Sequence, residues 1–466
     1  MVNVALWVLT IARLAVAAAL AWSAGAISAQ AAALSSAERQ AIVRTLAEAD
    51  PQAASRDDAD LLAALRRHAE TELGQRLRPR AVVDEWALQP PRRDVSRELE
   101  AARAAGTLEA WLGNLSPASA QYRALREARA RYASLTTRGW SILPAGPTLR
   151  EGDRHDTIPA LRARLAAEGY EVGAEAEPTL FDASLRAALE AFQVRHGLEV
   201  DGVLGPATRA ALNVPAATRL AQIDANLERH RWTPRDLPAD RLEVDTGGAT
   251  ATLFAGGRPS LTMRVIVGDP KHPTPMFASR IEAVVFNPPW RVPGSIATKE
   301  ILPRARRDPG YLARNNFTWV GGQLVQRPGP KNSLGVVKFD LPSPFGVYLH
   351  DTPGKAAFTR ADRALSHGCM RLEKPRELAA ILLSPQGGSV EGVETAIAAG
   401  STQRVALRTP VPLYVFHWTA VADEDGRVAF RRDVYGWDRK LMIALGGVRP
   451  AGGAMASAGS TDCADA

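Results

Sequence analysis

Phe345-Gly346-Val347-Tyr348-Leu349-His350-Asp351 and, after a turn-forming spacer, Ser366-His367-Gly368-Cys369-Met370-Arg371-Leu372 form the stretch on which the reading of this chain turns. Val347-Tyr348-Leu349 is a β-type run, which puts His350 at a strand end where its ring can face a cleft. Ser366-His367-Gly368 is a turn-capable approach to the thiol of Cys369. Gly368 lets the backbone come close to a substrate, and successive N–H groups there can receive a developing oxyanion. The thiolate is the reactive form of cysteine, and a nearby imidazole is the usual means of generating it near neutral pH. On this reading the stretch is a cysteine acyl-transfer site. The plainer alternative makes Cys369 a small buried hydrophobe and His350 a structural histidine.

The rest of the composition bounds the choice. A chain of 466 residues suggests about two to four domains, and 46% apolar with 23% charged residues is a globular balance. A net charge of +7 suits an anionic surrounding such as cell-wall polymer or a membrane face. Much of that charge is arginine scattered over Ala-rich helices, which reads rather as a solvated surface. No basic stripe with interleaved aromatics is present, which argues against a nucleic-acid partner, and neither HExxH nor CxxC calls for a metal or other cofactor. Val4 to Ala26 is nearly all apolar or small, with a short apolar core from Ala15 to Trp22 and small residues at cleavage spacing after it. Residues 1–31 therefore read as a secretory signal peptide. A membrane anchor, with inner-membrane association, is the alternative, because the whole stretch approaches the ~20 residues of a span. Either exports the body to the periplasm or cell envelope. One of the two cysteines, Cys463, lies in a Gly/Ala/Ser tail read as disordered over 449–466, so no disulfide framework competes for Cys369.

Along the chain the hydrophobic period changes. Residues 35–150 read as a helical scaffold, with Leu61, Leu62 and Leu65 at helical spacing, and Gly139 to Arg154 as a Pro/Gly-bearing linker. A compact unit follows at 155–213, then a linking helix at 214–240. From 241 to 446 the pattern alternates in β fashion, with a hairpin signal at Gly256-Gly257, and many strands at short intervals argue for an antiparallel sandwich or half-open barrel. The turn-rich segment 296–342 interrupts it as a lid insertion. The fold class is a multidomain α+β protein. His417, in an apolar strand, reads as structural.

Two of these segments resemble known families. Gln193-x-x-x-Gly197-Leu198-x-x-Asp201-Gly202-x-x-Gly205-x-x-Thr208, preceded by Phe192, resembles the three-helix peptidoglycan-binding module. Sugar or stem-peptide binding and a purely structural use of those turn residues stay open. His350 followed by Ser366-His367-Gly368-Cys369-Met370-Arg371 resembles the L,D-transpeptidase (YkuD-type) catalytic domain, as do Pro273-Thr274-Pro275 and Phe286-Asn287-Pro288-Pro289-Trp290 before it. The resemblance implies that Cys369 is the nucleophile and His350 the general base, oriented by the backbone carbonyl of Asp351. Gly368 would help form the oxyanion site, and His367 would shape the pocket. Arg371, Ser366, Tyr348, Trp290 and Asn287 would touch the substrate. It further implies peptidoglycan stem peptides and glycan as partners, 3→3 cross-linking without a cofactor, and acylation of Cys369 by carbapenems. The same thioester could pass to water or to an envelope protein, or the chain could be a wall-binding scaffold. A papain-type protease is disfavoured by the order of His and Cys. The acyl acceptor and the oligomeric state stay open.

Overall fold

The computed structural model describes residues 33–446 except 91, 174–176 and 424–425. The leader or anchor expected at 1–31, the tail at 449–466 and Cys463 lie outside the described residues. No described helix is long and apolar enough to cross a membrane. The chain divides into two compact units: residues up to Arg76 with Pro90–Ala118, and Leu77–Gln89 with everything from Ser119 on. The helical region expected as one piece over 35–150 is therefore shared between them.

The first unit contains α1 (Ser36–Leu46), α2 (Asp58–Glu72), α3 (Val95–Ala104) and α4 (Leu108–Gly113). Ser35 and Glu38 cap α1 reciprocally, and Asp57 and Asp94 cap α2 and α3, so each of these three starts with an orphan N–H satisfied. Their apolar stripes meet in one core that includes Ile42, Leu46, Leu61, Leu65, Leu99 and Leu115.

The second unit contains the short helix Pro79–Val82 and, from Ser119 on, begins with α5 (Ala120–Arg138). Three helices follow, α6 (Ile158–Ala167), α7 (Ala183–Arg195) and α8 (Pro206–Leu212), around Leu161, Leu165, Phe181, Leu189, Phe192 and Leu204. Gln193 is fully buried at their centre. Its amide nitrogen donates to Asp201 Oδ1 (2.7 Å), Val203 O (3.1 Å) and Thr208 Oγ1 (3.1 Å). Its oxygen accepts from the N–H groups of Asp201 (3.1 Å) and Gly202 (2.9 Å). Gly202 has φ +64°, a left-handed position that suits glycine. The motif therefore closes on itself. Next, α9 (Ala216–Trp232) packs along α5 through Ile223, Leu227, Tyr122 and Leu125.

The β region is one nine-stranded sheet built from β1 (Arg241–Asp245), β2 (Thr250–Ala255), β3 (Arg258–Gly268) and β4 (Phe277–Phe286), with later strands added. An insertion supplies β5 (Trp290–Arg291), β6 (Phe317–Val320) and β7 (Gln323–Gln326) as a separate three-stranded sheet. The main sheet resumes with β8 (Val337–Asp340), β9 (Leu349–His350), β10 (Ala364–Ser366) and β11 (Met370–Leu372). Helices α10 (Pro375–Leu383) and α11 (Val390–Ala398) lead into β12 (Gln403–Phe416), the hairpin β13 (Ala420–Ala422) and β14 (Val428–Phe430), and α12 (Trp437–Ala444). The strand order is β10-β3-β11-β9-β8-β4-β12-β1-β2, and β2 also pairs with β3. That last pairing closes the ring and leaves β10 outside it. The expected antiparallel sandwich or half-open barrel is thus corrected to a closed, mixed ring. Three pairs are parallel: β1 with β12, β9 with β11, and β10 with β3. Closure pairs both sides of every ring strand, with β10 left as an edge, and the interior is filled by side chains such as Val244, Val265, Val284, Phe339, Leu349 and Val415.

The insertion has its own small core of Val292, Ala297, Ile301 and Leu324. Two buried amides staple its base. Asn332 Nδ2 donates to Pro288 O (3.1 Å), Gln326 O (3.2 Å) and Arg327 O (3.0 Å), while Gln326 Nε2 donates to Asn315 O (3.0 Å) and Lys331 O (2.9 Å).

Candidate active site

The register of two short strands assembles the site. Strand β11 runs parallel to β9, with Met370 opposite Leu349 and Arg371 opposite His350. Side chains alternate across a strand, so Met370 and Leu349 point into the core, where both are fully buried. Cys369, Arg371, Tyr348 and His350 share the other face, and all four line one cavity of about 340 Å³. The opposite wall comes from the insertion and includes Ile296, Glu300, Ile301, Arg304, Tyr311 and Phe317. Trp290 and Ser366 also line the cavity.

The nucleophile's turn is forced by topology. Strand β10 runs parallel to β3 at Val267 and Gly268, whereas β11 runs antiparallel to β3 at Val265 and Ile266. The chain must reverse between them within His367-Gly368-Cys369. Gly368 makes this possible at φ +101°. Ser366 clamps the turn: its hydroxyl donates to Cys369 O (2.6 Å) and accepts from the N–H of Gly368 (3.2 Å). Ser366, 1% exposed, therefore spends its hydroxyl inside the turn. The Gly368 N–H, expected to serve an oxyanion, is committed to that clamp.

A second brace was not anticipated from the sequence. Thr274, fully buried, donates its hydroxyl to Gly368 O (2.8 Å) and accepts from the N–H of Gly268 (2.8 Å). Tyr435 donates to Gly268 O (2.9 Å) and accepts from the N–H of Thr274 (3.3 Å). Burial raises the Tyr435 hydroxyl far above its ordinary range, so it stays a donor. The backbones also approach closely here: a Cβ at Gly268 would lie 2.0 Å from the His272 carbonyl oxygen. Thr274 stands in the Pro273-Thr274-Pro275 segment, but nothing local marks its hydroxyl as a bridge.

His350 is 4% exposed, and its Nδ1 donates to the carbonyl oxygen of Asp351. That fixes the neutral tautomer, leaving the lone pair on Nε2. Burial first, and the Arg371 guanidinium second, push its pKa down to about 3, against the opposing carbonyls of Asp351 and Leu334. The resting imidazole is neutral and can accept a proton. Arg371 is itself pulled below the usual guanidinium range by burial, and the neighbouring Cys369 and Tyr348 act the other way. A cation beside the sulfur favours the thiolate. The carboxylate of Asp351 is engaged elsewhere, with Lys355 Nζ and with the N–H of Val336 (3.0 Å).

His367 lies beside the insertion, its Nε2 2.7 Å from Glu300 Oε1. Its ring is 4.5 Å from that of His272, whose Nδ1 is 3.0 Å from Asp269 Oδ1. Tyr348 packs 5.6 Å from the His350 ring, with Lys338 Nζ 4.4 Å above it. Asn287 departs from expectation. At φ +47° its amide donates to Ala396 O (3.1 Å), Ile397 O (3.0 Å) and Ser401 O (3.3 Å), and it is not among the residues lining the cavity. It adds donors to carbonyls at and just beyond the end of α11, and this corrects its expected place at the substrate. His417, fully buried, bonds Thr246 Oγ1 (2.8 Å) and stacks 5.1 Å from Tyr435.

Comparison with known proteins agrees with this architecture. Residues 239–412 match the family described as "L,D-transpeptidase catalytic domain", residues 154–212 the "Putative peptidoglycan binding domain" and residues 10–128 the "Scaffold domain". A "Putative L,D-transpeptidase" of Haemophilus influenzae is 33% identical over 204 residues, which is 40% of this chain and 42% of that protein. The match thus spans about two fifths of that relative's length. The N-acetylmuramoyl-L-alanine amidase CwlM of Mycobacterium tuberculosis is 41% identical over 75 residues, 14% of this chain and 18% of that one. Among solved structures, an L,D-transpeptidase from Mycobacterium smegmatis is 18% identical with a TM-score of 0.20, covering 38% of this chain and 58% of its own. One from Stackebrandtia nassauensis is 14% identical with a TM-score of 0.23, covering 58% and 97%.

Proposed function

Taking residues 239–412 as the L,D-transpeptidase catalytic domain to which they belong, we propose that Cys369 is the acyl-transfer nucleophile of a peptidoglycan cross-linking enzyme. The thiol attacks the carbonyl of the L-centre of diaminopimelate in a stem tetrapeptide. His350 takes the thiol proton and gives it to the departing D-alanine amine, leaving a thioester on Cys369. The amine of a second stem then resolves the thioester into a 3→3 cross-link.

The observation that carries this reading is the register of β9 against β11, which sets His350, Cys369 and Arg371 on one face of one cavity. A neutral imidazole with Nδ1 tied to a carbonyl is suited to act as a base through Nε2. Arg371 supplies positive charge where the thiolate and the oxyanion develop. The insertion covers the cavity as a lid that limits water, which favours an amine over hydrolysis. Carbapenems, which present an activated carbonyl, acylate the same sulfur. The setting is the cell envelope, with glycan and stem peptides as partners.

The test incubates the full chain and its Cys369→Ala variant with tetrapeptide-rich peptidoglycan and reads the muropeptides by mass spectrometry. New 3→3 dimers, absent with the variant, are expected. Tripeptides without dimers would make the protein a carboxypeptidase. No Cys369-dependent change would overturn the reading.

A further inference from the structure

Glu300 is the sole carboxylate among the described residues that line the cavity, and the acyl-transfer half-reaction has no use for it. A negative charge near the sulfur opposes thiolate formation. It also repels a donor stem that carries carboxylates of its own. Yet the fold delivers it there. Residues Ala297–Ile301 form a π-helical turn between the short helix Gly294–Ile296 and the helix Leu302–Arg307. Such turns occur mostly as local departures that re-aim side chains, often at functional sites. Here the carboxylate reaches His367, two residues before the nucleophile, with Nε2 and Oε1 2.7 Å apart. Both side chains remain about one-third exposed, 33% for His367 and 37% for Glu300, so an incoming group can reach them.

We propose that Glu300, held by His367, is the acceptor-binding residue: it receives the ammonium of the attacking amine on the insertion side of the cavity, across from His350. This rests on the function proposed above and adds a residue that selects amines over water. At neutral pH the acceptor arrives as R–NH3+ and must lose a proton before it can attack. The carboxylate pairs with the cation, and the Glu300–His367 pair takes that first proton and passes it to solvent. The nitrogen lone pair then attacks the thioester carbon; the C–N bond forms as the C–S bond breaks. The second nitrogen-bound proton moves through His350 to the departing sulfur, restoring the thiol. One amide, one thiol and one released proton balance the step. Arg304 and Arg371, the cavity's cations, would repel an ammonium, which leaves Glu300 as the attractive group for it.

The rival is that Glu300 merely latches the insertion to His367. Glu300→Gln separates the two, because glutamine keeps an oxygen to accept from His367 but loses the charge. The full chain is acylated with tetrapeptide, and each thioester is allowed to partition between a diaminopimelate-bearing acceptor and water. The amide-to-acid ratio is expected to fall about tenfold or more in Glu300→Gln, with a raised acceptor KM, and to be partly restored in Glu300→Asp. Raising ionic strength should lower the ratio in the wild type and much less in Glu300→Gln. Hydroxylamine, uncharged at neutral pH, should resolve both thioesters with similar preference over water. An unchanged ratio with the cationic acceptor, or an equal loss with hydroxylamine, would overturn the proposal. Failure of the wild type to form any acyl-enzyme would instead contradict the proposed function and remove this inference with it.

Discussion

The segments Phe192–Thr208 and His350–Arg371 carry equally recognisable motifs, yet the fold uses them in opposite ways. In the first, Gln193 spends both ends of its amide on Asp201, Gly202, Val203 and Thr208, so the motif is consumed in holding three helices together. In the second, the internal bonds hold only backbone and ring orientation: Ser366 and Thr274 grip the turn, and the Asp351 carbonyl grips His350. The sulfur, the imidazole and the guanidinium line a cavity. A motif that closes on itself specifies a fold, and one whose reactive groups open onto space specifies a chemistry.

Substitutions can break this contrast. Cys369→Ala should abolish acylation with little change in unfolding temperature, and His350→Gln should lower acylation about 10²- to 10⁴-fold. The reverse pattern, lost stability with retained turnover, would erase the difference between the two segments.

Acid should weaken both segments together, since each buries a neutral histidine. Burial, then the charge of Arg219, holds His196 well below the ordinary imidazole value, and His350 is pushed down to about 3. The unfolded chain therefore binds protons that the folded one refuses. Stability should be intact above about pH 6.5 and fall as pH drops towards the folded values, by up to ~1.4 kcal/mol per pH unit for each group. Denaturant titrations at pH 7 and pH 5 check this, and His350→Gln should remove one group's share of the slope.

Gln193→Leu should destabilise the module by about 2–4 kcal/mol, because several buried polar groups lose their partner at once. Hydrogen exchange over 155–213 would show it, while acylation of Cys369 by a soluble stem peptide should persist. Thr274→Val is the smallest change, about 1–3 kcal/mol, but it should also slow acylation, because the lost hydroxyl bridges Gly268 and Gly368 beneath the nucleophile. Unaltered acylation would show that the brace is structural only.

Local pattern carried much of this into the sequence. Leu61, Leu62 and Leu65 mark a helix by their spacing, and Gly256-Gly257 mark the β2–β3 turn, where both have positive φ. Ring closure was not legible, because the parallel register of β1 on β12 joins Leu242 to Leu413, and no local period encodes a pairing that distant. The same holds for the site. His350 and Cys369 stand out by residue type, whereas Thr274, Tyr435 and Glu300 act through contacts made only after the chain folds back. Asn287 misled for a related reason: it stands beside motif residues in sequence, but its left-handed backbone turns its amide towards α11.

In the proposed cycle Cys369 carries a thioester. Intact-mass spectrometry of the full chain, quenched in acid after brief exposure to a stem tetrapeptide, tests it directly. The expected adduct has the mass of the tetrapeptide less free D-alanine, lies on Cys369, is absent in Cys369→Ala and is released by hydroxylamine. Turnover of the tetrapeptide by Cys369→Ala at the wild-type rate, or an adduct mapping to another residue, would contradict it.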